Sequence, residues 1–259
     1  MKNQLKKIIK EFGYEIHKVK PIVQEDPKTH PYLKNFFKTV QHIGFNPKHI
    51  VDIGANHGHW TRSALHYFPD AAYTLIEPQH WLQPFFQDLL DSHKKIKYYP
   101  LGVGKTNGNF NFTITEHDDS SNFRMTAEDA KKNNLKQEII TVERLDSIIK
   151  NNNLIFPELV KIDAEGLDLE VLDGSSMLFG ETEVFMVEAA VNNKIFDNTF
   201  LKVINFMDEK GYRLFDITDL NKPFPIKILW LAELTFIKKG GFIDTFEIND
   251  YTRTGIKII

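Results

Sequence analysis

The segment that decides the fold is "HIVDIGANHGHWT", residues 49–61, in which a short apolar run ends in a turn with two glycines. A β-branched run of this kind predicts a buried strand, and the helical spacing of apolar residues in the following "HWTRSALHYF" predicts a helix. Gly54 allows a sharp turn out of the strand. Gly58 opens the N-terminus of the helix, where free N–H groups attract negative charge and lone pairs. The sequence therefore predicts a strand–turn–helix unit with a ligand site in the turn.

The rest of the chain continues this alternation of strands and helices. Strand patterns recur in "AAYTLIEP", "KIKYYPLGVG", "ELVKIDAEG", "TEVFMVEAA", "YRLFDIT" and "LAELTFIKK". Helix patterns lie between them, in "WLQPFFQDLLDSH", "LDLEVLDGSSMLFG" and "NTFLKVINFMDEKG". The period-two stretch "NGNFNFTIT" predicts an antiparallel ribbon or edge strand. Alternating elements imply right-handed crossovers, a mostly parallel sheet covered on both faces, and ligand sites at the carboxyl ends of the strands.

Composition excludes several classes of function. The chain of 259 residues fits one large domain, or one domain with a small extension. A net charge of −3 does not favour binding to a phosphate backbone, so no nucleic-acid partner is expected. The absence of cysteine excludes disulfides, thiolate zinc sites and cysteine nucleophiles. No apolar run reaches the length of a membrane span, and no signal peptide precedes the domain, which predicts a cytoplasmic protein.

The N-terminal part of the chain differs from the remainder. Its first twenty residues are basic, and residues 2–12 predict an amphipathic helix with Leu5, Ile8, Ile9 and Phe12 on one face. This helix would pack on the domain or on a partner subunit, with weak contact to a membrane surface as the alternative. A second helix, "YLKNFFKTVQHIG", should end at Gly44. We therefore divide the chain into an N-terminal helical extension, 1–45, and a main domain, 46–259.

The turn after the first strand departs from the dinucleotide fingerprint G-x-G-x-x-G. It reads G-x-N-x-G, so Asn56 occupies the position at which a pyrophosphate needs a bare glycine backbone. Asp52 adds a carboxylate that repels a diphosphate and suits a cationic amine. Glu77 ends the second strand, where an acidic side chain can accept both hydroxyls of a ribose; a surface glutamate before Pro78 is the alternative. The turn therefore predicts a nucleoside with a zwitterionic tail as the ligand.

Four stretches together resemble the FkbM-type methyltransferases, a branch of the class I S-adenosylmethionine-dependent fold: "VDIGANHG", "LIEP", "LVKIDAEGLDLEVLDG" and "VFMVEA". The resemblance covers roughly residues 45–240. It implies an α/β, Rossmann-like class I methyltransferase fold, with a mostly parallel, seven-stranded twisted sheet that carries helices on both faces.

The resemblance also implies a set of sites for the methyl donor, S-adenosylmethionine. The first turn would hold the methionine end through Asp52, Gly54, Ala55, Asn56 and Gly58. Glu77 would bind the ribose, and the loop from Leu101 to Gly104, which includes Gly102, would flank the adenine. Ser120 and Ser121 lie where such proteins carry a serine-rich loop, although here Asn122 replaces the leucine that usually follows. Asp163 and Glu165 would face the pocket.

Methylation of a hydroxyl requires a base, because the acceptor loses a proton while the activated donor mainly needs alignment. The candidate bases are Asp163, Glu165, Glu188, His57 and His59. On an extended backbone, Asp163 and Glu165 would point the same way and raise one another's pKa. The same pair could hold a divalent cation, although the sequence does not indicate a metal site, or could merely order the loop and cap a helix. Trp230 is a candidate for an aromatic wall of the acceptor site or for the core.

The leading hypothesis is an enzyme that methylates a hydroxyl on a saccharide or another small molecule, such as a natural product or a lipid-linked glycan. One alternative is an NAD(P)-dependent oxidoreductase, with which the G-x-N-x-G turn conflicts. The other is a non-catalytic donor-binding partner protein. The acceptor is set by loops that leave no code in one sequence, and assembly into a homo-oligomer stays open.

Overall fold

The structure, a computed structural model, describes residues 30–117 and 120–246. The helix predicted over residues 2–12 lies outside the described residues, as does most of the proposed extension 1–45. Within the described ranges the strands are β1 (His49–Ile53), β2 (Ala72–Ile76), β3 (Ile96–Tyr99), β4 (Gly102–Val103), β5 (Gly108–Ile114), β6 (Lys136–Glu143), β7 (Leu159–Ile162), β8 (Val184–Ala190), β9 (Tyr212–Asn221) and β10 (Leu231–Lys238).

Helices connect most of these strands. The α-helices are α1 (Pro31–Ile43), α2 (His59–Tyr67), α3 (Gln87–Ser92), α4 (Ala127–Lys132), α5 (Leu145–Asn151), α6 (Asp168–Asp173) and α7 (Phe200–Glu209). Short 3₁₀ helices cover His80–Phe85 and Ser176–Leu178. Nowhere in residues 30–117 or 120–246 is there a helix that combines the length and the apolar character needed to span a membrane.

The main sheet has seven strands in the order β3-β2-β1-β7-β8-β10-β9. Its first five strands are parallel, and β10 runs antiparallel to both β8 and β9. Both faces are covered, because successive residues of β1 enter different apolar clusters: Ile50 packs with α1 and α2, whereas Val51 packs with α5, α6 and α7. The predicted class I methyltransferase fold, with a mostly parallel sheet and helices on both faces, is thus confirmed.

A smaller sheet of three strands, β4-β6-β5, lies beside the main sheet. The antiparallel ribbon or edge strand predicted from "NGNFNFTIT" is confirmed, because β5 pairs antiparallel with β6 at the edge of this sheet. The prediction of one strand through "KIKYYPLGVG" is wrong. Pro100, which cannot donate to a strand ladder, separates β3 in the main sheet from β4 in the smaller one.

Two predicted helices are divided. "WLQPFFQDLLDSH" forms a 3₁₀ helix that contains Pro84, followed by the separate helix α3. "LDLEVLDGSSMLFG" forms α6, which ends at Gly174, and then a second 3₁₀ helix. Helix α1 ends as predicted, with Gly44 in the left-handed conformation (φ +98°), and it buries Leu33, Phe36, Phe37 and Val40.

Candidate active site

The carboxyl ends of β1, β2 and β7 meet at one edge of the main sheet, because β1 pairs in parallel with both of the other strands. A cavity of about 710 Å³, including the open solvent at its mouth, lies there. We call it the first cavity. Its wall consists of Ile53, Gly54, Asn56, Ile76, Glu77, Pro78, Gln79, Leu101, Gly102, Val103, Phe112, Ser121, Asn122, Phe123, Asp163, Ala164, Glu165 and Leu167.

The turn after β1 approaches the loop after β7 so closely that a side chain at position 54 has no room. A Cβ atom on Gly54 would lie 1.9 Å from the backbone oxygen of Asp163, and φ of Gly54 is +72°. Asn56 also has positive φ, +46°, which asparagine tolerates better than most residues. The backbone N–H of Asn56 donates to Glu77 Oε2 (2.8 Å). These contacts fix the turn to the ends of β2 and β7.

Glu77 lies at the end of β2 and forms part of the wall of the first cavity. Its second carboxylate oxygen accepts a hydrogen bond from Gln79 N (2.9 Å). Burial raises the pKa of Glu77, while the N–H groups of Gln79 and Asn56 act in the opposite direction. Each carboxylate oxygen has more than one lone pair, so the fixed carboxylate can still accept hydrogen bonds from a ligand.

The remaining residues predicted to bind the donor divide between the cavity wall and its surroundings. Gly102 lines the first cavity, and a Cβ there would lie 2.7 Å from the ring of Phe123. Ser121 also lines it, and its hydroxyl accepts from Thr115 N (3.1 Å). Ser120 is exposed and does not belong to this wall. Gly58 supports the turn from behind, because a Cβ there would lie 3.0 Å from Phe86 Cβ.

A second cavity adjoins the first and shares Gly54, Asn56 and Asp163 with it. Its remaining wall residues are Ala55, His57, His59, Trp60, Glu116, His117 and Lys161. The ring of His57 stacks on Phe85, with centroids 4.2 Å apart, whereas His59 is exposed at the start of α2. Of the five candidate bases, Asp163, His57 and His59 therefore border this second cavity.

The other proposed site residues lie elsewhere. The expectation that Asp163 and Glu165 project together from an extended backbone is wrong, because β7 ends at Ile162 and Glu165 has φ of +51°. Both still line the first cavity, but only Asp163 also lines the second. Glu188 lies in β8 outside both walls. Trp230 packs edge-to-face on Phe224, with centroids 5.1 Å apart, and likewise belongs to neither wall.

Asp52 was expected to contact the amine of the ligand directly, but its partners are groups of the protein. It is completely buried, and its Oδ2 accepts from Thr61 Oγ1 (2.6 Å). Its Oδ1 lies 3.4 Å from the ammonium of Lys161, which also lies 3.3 Å from Asp163 Oδ2. Lys161 also donates to the carbonyl oxygen of Gly54 (3.1 Å). This lysine, which sequence reasoning did not single out, joins the end of β1 and its turn to the end of β7.

Lys161 is charged in spite of its position. Burial alone lowers the pKa of a lysine, but the carboxylates of Asp163, Asp52 and Glu233 outweigh that effect, so the pKa of Lys161 lies above its ordinary value. Lys161 therefore places a positive charge between the carboxylates of Asp52 and Asp163.

An acidic cluster of Asp168, Glu188 and Glu233 lies behind the site. Asp168 accepts from Ala164 N (3.1 Å) and from Asn198 Nδ2 (2.7 Å), so it holds the loop that carries Asp163. Burial and the neighbouring Asp163 raise the pKa of Asp168 to about 7. Burial also raises the pKa of Glu233 to about 7 and that of Glu188 well above its ordinary range. Glu188 faces Glu233 directly across β8 and β10.

We expect Glu233→Gln to change how stability depends on pH. A glutamate whose pKa is raised on folding favours the folded state below its unfolded pKa, and this contribution is lost as pH rises through its folded pKa. For Glu233 the window runs from about 4.5 to about 7. Glutamine keeps the hydrogen bond from Thr218 Oγ1 but does not titrate. The variant should therefore gain stability relative to wild type from pH 5 to 8, by on the order of 3 kcal/mol.

Urea unfolding at several pH values between 5 and 8 measures this difference. The Glu209→Gln variant, at an exposed position on α7, serves as the control and should follow the wild-type curve. Parallel curves for wild type and Glu233→Gln would show that Glu233 does not titrate in this window.

Within residues 30–117 and 120–246, no group of three or more histidine, aspartate or glutamate side chains has the arrangement of a metal site. The proposed donor site instead combines an apolar slot, a fixed carboxylate and a tight glycine turn. That combination suits an organic nucleoside, because the flat base needs apolar walls and the ribose needs a hydrogen-bond acceptor.

The mostly parallel seven-stranded sheet and the site at its carboxyl edge fit a methyltransferase of class I type that uses S-adenosylmethionine. The family model of the methyltransferase FkbM domain matches residues 52–214, more than half of the chain. The chain therefore belongs to the FkbM methyltransferase domain family, and the resemblance inferred from its motifs is confirmed. A search among curated proteins finds no significant match.

Several solved structures are similar in fold. Precorrin-6y C5,15-methyltransferase from Geobacter metallireducens GS-15 is 13% identical, with 83% of this chain and 92% of that chain covered and a TM-score of 0.46. A putative RNA methyltransferase, PH1948 from Pyrococcus horikoshii, is 13% identical, with coverages of 92% and 100% and a TM-score of 0.46. The 1,6-didemethyltoxoflavin-N1-methyltransferase of Burkholderia thailandensis is 11% identical, with coverages of 81% and 79% and a TM-score of 0.44.

Proposed function

We propose that this methyltransferase transfers the methyl group of S-adenosylmethionine to a hydroxyl of a saccharide or another small-molecule acceptor. The observation that carries this proposal is the wall of Gly54, Asn56 and Asp163 that the two cavities share. A donor in the first cavity and an acceptor in the second would meet at this wall, beside a carboxylate.

The first cavity suits the donor. Its apolar side chains Ile76, Val103, Phe112 and Phe123 offer a slot for an adenine ring, and Glu77 offers a carboxylate to the ribose hydroxyls. The turn through Gly54 and Asn56 borders the cavity where the amino-acid end would lie, and the Lys161–Asp52 pair behind it fixes the shape of the turn. When bound, S-adenosylmethionine supplies an electrophilic methyl group on a sulfonium.

The second cavity suits a polar acceptor. It offers three imidazoles and two carboxylates, from His57, His59, His117, Glu116 and Asp163, together with the indole of Trp60. Hydroxyl groups bind such donors and acceptors, and a sugar ring can pack on an aromatic face. We assign the base to Asp163, because its carboxylate lies in the wall common to both cavities and the contact of its backbone with Gly54 fixes its position. This carboxylate would take the hydroxyl proton as the oxygen acquires the methyl group.

Glu77→Gln should weaken donor binding by about tenfold to a hundredfold, because a ribose hydroxyl would lose a charged acceptor. A more specific test measures by calorimetry the affinities of wild type and variant for two ligands, S-adenosylhomocysteine and its 2′-deoxy analogue. Wild type should prefer the ribose form, and Glu77→Gln should bind both with similar affinity. If the variant kept the full preference, Glu77 would not hold the ribose. Thermal unfolding without ligand controls for damage to the Asn56 turn.

The test of the proposed reaction is an assay with methyl-labelled S-adenosylmethionine against sugars, lipid-linked glycans and polyketide alcohols. Each hydroxyl acceptor is paired with its amino analogue, so that label on the amine alone would overturn O-methylation. Repeating the assay with EDTA tests for a divalent cation. A thermal shift by NAD(P)H, with none by S-adenosylhomocysteine, would contradict the donor assignment.

A further inference from the structure

The connection between β9 and β10, residues 222–230, exposes a run of apolar side chains that neither cavity uses. We call this segment, "KPFPIKILW", the apolar arm. Phe224, Ile226 and Ile228 are all exposed on it, and Ile226 is 74% accessible to solvent. The arm has a defined conformation: Trp230 N donates to Asn221 O (2.8 Å) at its base, and Lys227 N donates to Phe224 O (2.9 Å) at its tip. Exposed apolar residues grouped in this way mark an interaction surface.

The arm lies at the same edge of the main sheet as the two cavities. Leu231, the first residue of β10, stands beside Ala190, the last residue of β8, because these two strands are antiparallel. The carbonyl of Trp230 accepts hydrogen bonds from the backbone N–H groups of residues 191–193. The exposed Val191 and Ile195 extend the apolar surface on that side.

The charge on this surface is positive. The arm contains Lys222 and Lys227 and no acidic residue, and Lys194 is exposed on the adjoining loop. The carboxylates that flank the arm include Asp219, whose Oδ1 lies 3.4 Å from the ring of His30, and Asp197, which pairs with Lys202 (3.7 Å). Aromatic and aliphatic side chains interspersed with lysines are the chemistry of segments that lie in the interface of an anionic membrane.

We propose that the apolar arm docks on the surface of an anionic lipid bilayer, with Phe224 and Ile226 inserted between headgroups and Lys222 and Lys227 against lipid phosphates. The docked molecule would present the carboxyl edge of its sheet, and therefore both cavities, toward the bilayer. This property goes beyond methyl transfer, because membrane docking requires neither donor nor acceptor. Vesicle binding and methyl transfer are measured independently, so either proposal can fail while the other holds.

The test is co-sedimentation of the full chain with vesicles of phosphatidylcholine alone or mixed with phosphatidylglycerol. Wild type should bind the mixed vesicles more tightly, and added salt should reduce this difference. Phe224→Ser with Ile226→Ser should lower binding at least about tenfold. Lys222→Gln with Lys227→Gln should lower binding to the anionic vesicles about 30-fold and leave binding to the neutral vesicles unchanged.

A matched control lies at the opposite edge of the sheet. Phe156 and Ile155 precede β7 and are exposed to 41% and 63%, close to 40% for Phe224 and 74% for Ile226. Phe156→Ser with Ile155→Ser should leave vesicle binding at the wild-type level. The proposal is overturned if wild type does not bind vesicles, or if arm and control variants behave alike. It is equally overturned if light scattering shows a dimer that the arm substitutions dissociate, because the occupant would then be a second copy of the chain.

Discussion

Asp163→Asn should lower the turnover number about 10²- to 10³-fold while donor affinity changes less than a few-fold, in the range expected for the loss of a general base. Asparagine preserves the volume of Asp163 and can still accept a hydrogen bond from Lys161, whose ammonium lies 3.3 Å from the carboxylate in wild type. What the substitution removes is the capacity to take a proton. Single-turnover rates with the acceptor identified by the labelled-donor assay, together with calorimetry of S-adenosylhomocysteine, separate the two effects.

Two further variants test whether the loss of turnover is specific to Asp163. Glu116→Gln changes another carboxylate of the second cavity, and its effect should fall mainly on the KM of the acceptor. His59→Gln removes one of the two histidines of this cavity that compete with Asp163 as the base. A free histidine titrates near pH 6.5, so a histidine base would give a rate that falls below that pH. If His59→Gln abolished such a fall while Asp163→Asn retained wild-type turnover, the base would be His59 and the assignment of Asp163 would be wrong.

The architecture was predictable because each signal for it is local. The β-branched runs that form β1, β2, β7 and β8 are bounded by turn residues. Gly44 ends α1 in the left-handed conformation, which is common for a glycine at the end of a helix. The errors are local as well. Helix α4, "AEDAKK", was not predicted because it is polar on nearly every side and begins with a cap, Thr126, rather than with an apolar stripe.

The site was only partly predictable, because the register between neighbouring strands decides which of its charged residues lie next to each other. Asp52 stands directly across from Lys161 in the pairing of β1 with β7, and spacing along the chain does not reveal that alignment. One signal was available: a lysine interrupts the short strand "LVKI", which is otherwise apolar. A cation in a parallel strand that is buried on both faces needs an anionic partner, and the carboxylate that faced inward on the neighbouring strand was Asp52.

Lys161→Met should destabilise the protein by about 3–5 kcal/mol, the usual cost of leaving a buried charge without its partner. Methionine fills a similar volume, so the loss reports charge more than packing. Asp52 would remain completely buried, with the hydroxyl of Thr61 but without a cation. Urea unfolding of the chain without ligand measures the change in the free energy of unfolding.

The control is an exposed ion pair of similar length. Lys105 Nζ lies 3.1 Å from Asp173 Oδ2, and the two side chains are 63% and 39% exposed. Lys105→Met should therefore cost less than about 1 kcal/mol. Adding Asp52→Asn to Lys161→Met removes the orphaned charge and should recover part of the lost stability, since the double variant buries a neutral pair. Equal losses in the two lysine variants, or no recovery in the double variant, would mean that the buried lysine does not hold the turn after β1 through its charge.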